Sequence, residues 1–231
     1  MAYSLGTVAA AATFGLIVFL SAWTLHYWQA WVLLASTFVG YGSGILGSIA
    51  RREPAPLRGS REQGPSRPEP SDEPRVKIPT SRRFVLYPVW LCFPALLIVP
   101  GLDHRFGWSS VPPSISLAAD LAFAAGLLLT YRVRVAILRR FDASTEEAQD
   151  RRMISTGPFA VVRHPMIAGL LLYQGAMPIA LGSWWGLVAF AVIMPLAVEW
   201  TFYEEKVMGQ MSSDYSEYTH KVEYRLVPHV W

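Results

Sequence analysis

Charge and cysteine are what this chain of 231 residues has least of. Cys92 is its single cysteine, which excludes an intrachain disulfide framework and a cysteine-based zinc cluster. Its place inside an apolar run reads as packing rather than nucleophilic chemistry. Charged residues make up only 16% of the chain, and none occurs from Leu5 to Leu25 or from Trp28 to Ile49. No Lys or Arg precedes the first of these runs and no small-residue cleavage site follows it, so it reads as a retained helix rather than a secretory signal peptide. A strand is also missing before "GSGILG" at 42–47, and no acidic ribose ligand follows. The glycine pattern therefore sits in an apolar helix and not in a dinucleotide fold. Gly40 and Gly44 in the same stretch form GxxxG, which predicts close helix packing.

What the chain has in excess is apolar residues, 52% of the total with a mean hydropathy of +0.29. They gather into runs near the ~20 residues that a helix needs to cross a hydrocarbon core. The first two runs are joined by His26, Tyr27, Trp28 and Gln29, with Trp31 following, a half-polar aromatic group suited to an interface. A third run, Phe84 to Leu102, holds Pro88, Pro94 and Pro100 and predicts a kinked span. A fourth starts at Ile115 and extends to Leu129, or on to Leu138, with Asp120 near its start, where closeness to the interface predicts a solvated acid rather than a functional one. Met166 to Leu181 and Trp185 to Val198, joined by "GSWW", predict a helical hairpin. Met208, Met211, Tyr215, Tyr218 and Val222 then recur at intervals of three and four, the apolar face of an amphipathic helix.

The expected fold is all-α and integral to the membrane, with four transmembrane helices, a C-terminal helical hairpin and a cytosolic amphipathic helix. Three regions follow: an N-terminal transmembrane hairpin over 1–50, a Pro/Arg-rich linker over 51–83, and a core over 84–231 whose motifs lie in 150–231. The linker's composition cannot bury enough apolar surface to offset its ordering entropy, and its prolines break helices. It carries nine Lys or Arg and the segment 131–163 carries seven, against none near His26 and one near His104. That asymmetry places the linker, the motif region and the tail in the cytoplasm, on an inner-membrane protein with an even number of crossings. The net charge of +3 is explained by this topology, and no base-stacking module accompanies it, so nucleic acid is not an expected partner.

Chemistry concentrates where the hairpin meets water. "TGPFAVVRHPMIAG" brings Arg163, His164 and Pro165 to the start of the first arm, and Glu204 and Glu205 fall where the second arm ends. If the hairpin closes, cations and carboxylates share one interfacial level, a set suited to a zwitterionic ligand. Equally, Arg163 could snorkel and the glutamates be solvated.

"ISTGPFAVVRHPMIAG", followed about forty residues later by "YEEKVMGQMSSDYSEYTHKVEYRLVP", resembles the isoprenylcysteine carboxyl methyltransferase family and its bacterial relatives, which neighbour the phospholipid methyltransferases. The resemblance is densest from roughly 150 to 231. It implies an integral membrane enzyme that takes S-adenosylmethionine from the cytosol and a lipophilic or small acceptor, such as a membrane lipid, from the bilayer. It further implies a cofactor pocket of Arg152, Met153, Ile154, Phe159, His164, Pro165, Met166, Ile167 and Glu205, with Arg163, His164, Glu204 and Glu205 as the candidate catalytic group and no metal. The sulfonium methyl is already activated, so such an enzyme needs alignment and water exclusion rather than a covalent nucleophile. Departures from the family pattern are Ile167 where tyrosine is common, Phe159 for tyrosine, and no arginine ahead of Glu204 and Glu205, where Glu199, Trp200 and Thr201 stand. These leave the acceptor open among carboxylate, hydroxyl, amine and thiol. A non-enzymatic scaffold that docks through the linker and a related membrane reductase are the alternative readings.

Overall fold

The computed structural model describes residues 2–50, 80–140, 155–211 and 214–231, with side-chain packing over 11–40, 93–137, 155–210 and 215–231. Seven α-helices and no strand occur among the described residues: α1 (Ala2–Ala22), α2 (Trp28–Ala50), α3 (Thr80–Phe106), α4 (Pro113–Arg140), α5 (Pro165–Ala180), α6 (Gly186–Met211) and α7 (Asp214–Lys221). A single 3-10 turn, Gly157–Ala160, precedes α5. Short turns join α1 to α2, α3 to α4 and α5 to α6, so neighbours in sequence run antiparallel.

The bundle has an apolar core, and its outer surface is apolar as well. Large apolar side chains face outward, among them Leu16, Leu20, Phe38, Leu121 and Val188, while Thr37, Ser116, Asp120, Gln174 and Thr201 are buried inside. Thr37 and Thr201 spend their hydroxyls on carbonyls of their own helices, those of Leu33 and Ala197. Asp120 accepts a hydrogen bond from Ser36 Oγ at 2.6 Å across α2 and α4, so the acid that the sequence places near a solvated interface is interior instead.

By length and hydropathy, α4 over Pro113–Ile137 and α6 over Gly186–Gln210 are the two helices among the described residues able to cross a bilayer. Four spans ahead of the hairpin are therefore not what this criterion returns. The second hairpin arm is the larger departure. It continues past Val198 through Glu204 and Glu205 to Met211, because nothing after Pro195 breaks the helix and its polar residues have partners to meet. α3 likewise begins at Thr80, inside the expected linker, and runs as one helix through its three prolines. The rest of the linker, 51–79, and Arg152, Met153 and Ile154 lie outside the described residues, as does the side chain of Cys92.

The tightest crossing is between α4 and α5. A Cβ on Gly126 would stand 2.6 Å from the Tyr173 backbone nitrogen and 2.8 Å from the Gly169 carbonyl oxygen. Only glycine lets the two backbones approach so closely. Gly40, by contrast, meets Leu127 at ordinary contact distance, 3.4 Å, and the side of α2 carrying Gly44 lies outside the described packing. Within the described packing the close crossing falls at Gly126 and Gly169.

The two ends of the bundle differ chemically. At one end Trp23, Trp28, Trp31, Trp108, Trp184 and Trp185 are all exposed, an aromatic belt of the kind that marks a membrane interface. Beneath it Asp103, fully buried, accepts from Ser109 N–H (2.7 Å), Ser109 Oγ (2.5 Å) and Ser183 Oγ (2.5 Å). Tyr27 O–H donates to the Leu181 carbonyl. These bonds tie all three turns together. The opposite end holds the start of α5, the end of α6 and the tail.

Candidate active site

Height along the helices explains why the motif residues meet. Glu205 is 19 residues beyond Gly186, roughly 29 Å at 1.5 Å rise per residue, and so close to the ~30 Å thickness of a hydrocarbon core. α5 starts nearby because Pro165, without an amide hydrogen, is suited to its first turn, with His164 as the residue before it.

The tail brings these parts together. Backbone N–H groups of Arg163 and His164 donate to the carbonyls of Tyr224 and Arg225 at 2.9 and 3.0 Å. The Arg163 side chain donates from Nε to the Val222 carbonyl (2.7 Å) and from a terminal nitrogen to the Thr219 carbonyl (2.9 Å). Both oxygens belong to the end of α7, where carbonyls lack helical partners and a cation is favoured. Its other terminal nitrogen reaches Glu205 at 3.2 Å. Arg163 is thus a strut between α5, α6 and the tail, and neither snorkels nor stands free.

Glu205 receives a second guanidinium. Arg225 Nε lies 3.1 and 3.0 Å from its two carboxylate oxygens, and the same guanidinium sits over the rings of Phe202 and Trp231. Glu204 faces the other way. It accepts from Trp200 Nε1 at 3.0 Å and from His164 Nδ1 at 3.1 Å. His164 is therefore held between both carboxylates, its side chain only 3% exposed and Nε2 3.6 Å from Glu205. That is beyond hydrogen-bonding distance, and Nε2 is buried without a partner.

Of the other expected pocket residues, Pro165 is buried and Ile167 packs with Ala197 and Leu226. Met166 is exposed, and Phe159 supplies its carbonyl to Tyr218 O–H at 2.8 Å. Tyr215 and Tyr218 pack with Val222 and Met208, which confirms the apolar face, although α6 ends at Met211 and a separate helix carries the tyrosines. Burial pushes both phenols up to about 12, for Tyr215 with help from the Glu205 charge. The Tyr215 hydroxyl is buried and unpartnered.

Sequence reasoning gave Arg225 and Trp200 no role in the site and Tyr215 only a place on an apolar helix face. Arg225 stands in the "RLVP" that carries the resemblance, and its pairing with Glu205 depends on the tail folding back. Trp200 lies one helical turn before Glu204, an i,i+4 relation that was readable.

Two arginines and two glutamates balance in charge, and beside them two buried hydrogen-bonding groups, His164 Nε2 and Tyr215 O–H, remain unspent. Such a neutral, partly dry cluster suits a small dipolar ligand. No curated protein matches the chain. Residues 115–214 match the family model of the phospholipid methyltransferases, a stretch that includes Arg163, His164, Glu204 and Glu205 and stops short of Arg225. That stretch, less than half of the chain, is similar to the phospholipid methyltransferases, in agreement with the membrane methyltransferase resemblance of the motif region.

Proposed function

We propose that the protein is a membrane methyltransferase that uses S-adenosylmethionine and holds its amino-acid moiety at His164 and Tyr215, with Glu204 orienting His164 and the reacting face opening to the cytoplasm. The observation that supports this most is the orphaned His164 Nε2, buried between two carboxylates where the two stretches that carry the resemblance meet. Glu204, by accepting from Nδ1–H, fixes the tautomer in which the neutral ring offers Nε2 as an acceptor. An ammonium group satisfies that acceptor, while Glu204, on the opposite side of the ring, holds Nδ1. Tyr215 O–H remains as a donor for a carboxylate.

S-adenosylmethionine, when bound, supplies a methyl group already activated on sulfonium. The chain's residues bind and orient. Glu205, engaged by Arg163 and Arg225, frames His164 rather than contacting ligand, and Pro165 and Ile167 form the packed floor. The acceptor is a lipophilic or small molecule drawn from the bilayer, on which alignment and exclusion of water act.

Binding of S-adenosylmethionine to the full chain in detergent, followed by calorimetry, tests this reading. We expect saturable binding that weakens at least about tenfold in His164→Ala, the loss of one charge-assisted hydrogen bond. A deaminated analogue should bind wild type and His164→Ala alike. No saturable binding by wild type ends the proposal, and an analogue as sensitive to His164→Ala as the parent refutes the ammonium contact.

A further inference from the structure

Away from that site, at the aromatic end, α1 and α2 enclose an open apolar groove of about 730 Å³, within the ~300–1,000 Å³ range of ligand pockets. Gly15 forms its floor, where a Cβ would come within 3.3 Å of Leu34. Phe19 and Trp31 form a wall, their rings tilted together at 4.7 Å, with Trp31 Nε1 bonded to the Leu25 carbonyl at 2.9 Å. Trp23 forms the rim. Its φ of +55° lies in the left-handed region that bulky residues rarely adopt, yet its ring is 74% exposed, so internal packing does not account for the conformation.

Above that ring stands a cation. The Arg105 guanidinium lies 5.4 Å from the Trp23 centroid and 5.2 Å from that of Phe106. It is exposed and makes no ion pair among the described residues. Asp103, two residues earlier, is turned inward to Ser109 and Ser183. A lone cation at the tryptophan level over an apolar groove has the chemical outline of one lipid, anionic at the head and apolar in the tail.

We infer that this groove binds one acyl chain of an anionic phospholipid whose phosphate meets Arg105. The site is remote from His164 and independent of the methyl-transfer reading. Native mass spectrometry of the full chain, released from micelles doped with dioleoyl phosphatidylglycerol or dioleoyl phosphatidylcholine, tests it. Wild type should retain one phosphatidylglycerol with about fivefold preference, the effect of one basic residue on an anionic headgroup. Arg105→Gln should reduce phosphatidylglycerol to the phosphatidylcholine level. Ala12→Trp, at a groove-lining position, should abolish retention of both. Trp23→Gly removes the rim ring while suiting the backbone, and should lower occupancy without lowering the melting temperature. Undiminished preference in Arg105→Gln, lipid retained by Ala12→Trp, or a lipid-free dimer of wild type would each overturn the assignment.

Discussion

Arg163 offers the sharpest perturbation, since it joins three elements through three bonds. In Arg163→Met the aliphatic stem and its packing are kept, and the guanidinium is lost. The carbonyls of Thr219 and Val222 then lose their donor, and Glu205, with 14% of its side chain exposed, retains Arg225 alone. Removing one member of a largely buried charged network costs about 3–5 kcal/mol, the range also reached by summing two orphaned carbonyls at about 1–3 kcal/mol each. Because those partners lie in the tail, the cost should fall on the docking of 214–231 and not on the bundle. At 1.4 kcal/mol per decade, local opening of the tail should increase roughly a hundred- to several-thousand-fold. Hydrogen exchange of the full chain in micelles reads this directly, with α4 and α5 peptides as internal reference. Arg163→Lys, a point charge without the fork, should fall between wild type and Arg163→Met. Unchanged protection of 214–231 in Arg163→Met, or equal loss across α4 and α5, would refute the strut.

Three further outcomes follow from the geometry. Gly126→Ala should force α4 from α5 and lower stability by about 1–3 kcal/mol, read as melting temperature in detergent, whereas Gly40→Ala, against Leu127 at ordinary distance, should be near neutral. Tyr215 and Tyr218, with phenols raised by burial to about 12 from 10.0, should contribute stability that is complete below pH 10 and lost as pH rises from 10 toward 12. Absorbance at 295 nm across that window should show two late-titrating tyrosines, and Tyr218→Phe should remove one. Asp103→Asn replaces an acceptor of three hydrogen bonds with a group that accepts at one atom only, and should cost about 2–4 kcal/mol. Calorimetry should find methyl-donor affinity unaltered by it, since Asp103 is at the far end of the bundle.

The sequence made the helical class legible because charge-free runs leave a chain few alternatives, and Trp at the turns marked one interface before any coordinate did. It also brought Arg163, His164, Glu204 and Glu205 to a common level, since helix rise converts residue number into height. Rotation and tail path were not legible. Whether α6 turned Glu204 toward His164 and Glu205 toward the arginines depends on phase to within a residue, and the expected end of the arm at Val198 was more than three turns short of Met211. The crossing of Gly126 with Gly169 was missed for a related reason: small residues permit a close crossing but do not choose the partner. Asp120 was misread because hydropathy reports depth and not which way a side chain turns.

Departures from the family pattern look different once the tail is in place. No arginine precedes Glu204 and Glu205, and that absence left the acceptor's charge open. Glu205 nonetheless has two arginines, one from the α5 threshold and one from "RLVP", while Trp200 within "EWT" serves Glu204 as a neutral donor. An arginine at 200 would compete with His164 for Glu204 and draw the carboxylate away from Nδ1. With an indole there, Glu204 keeps one oxygen for Trp200 and one for His164, the tautomer stays fixed, and Nε2 stays available. Trp200→Arg should therefore weaken methyl-donor binding while leaving the Arg163 strut intact, so that calorimetry reports a loss and hydrogen exchange of 214–231 does not change. Loss of both together would mean that the two glutamates act as one unit, and that the division of labour between them is wrong.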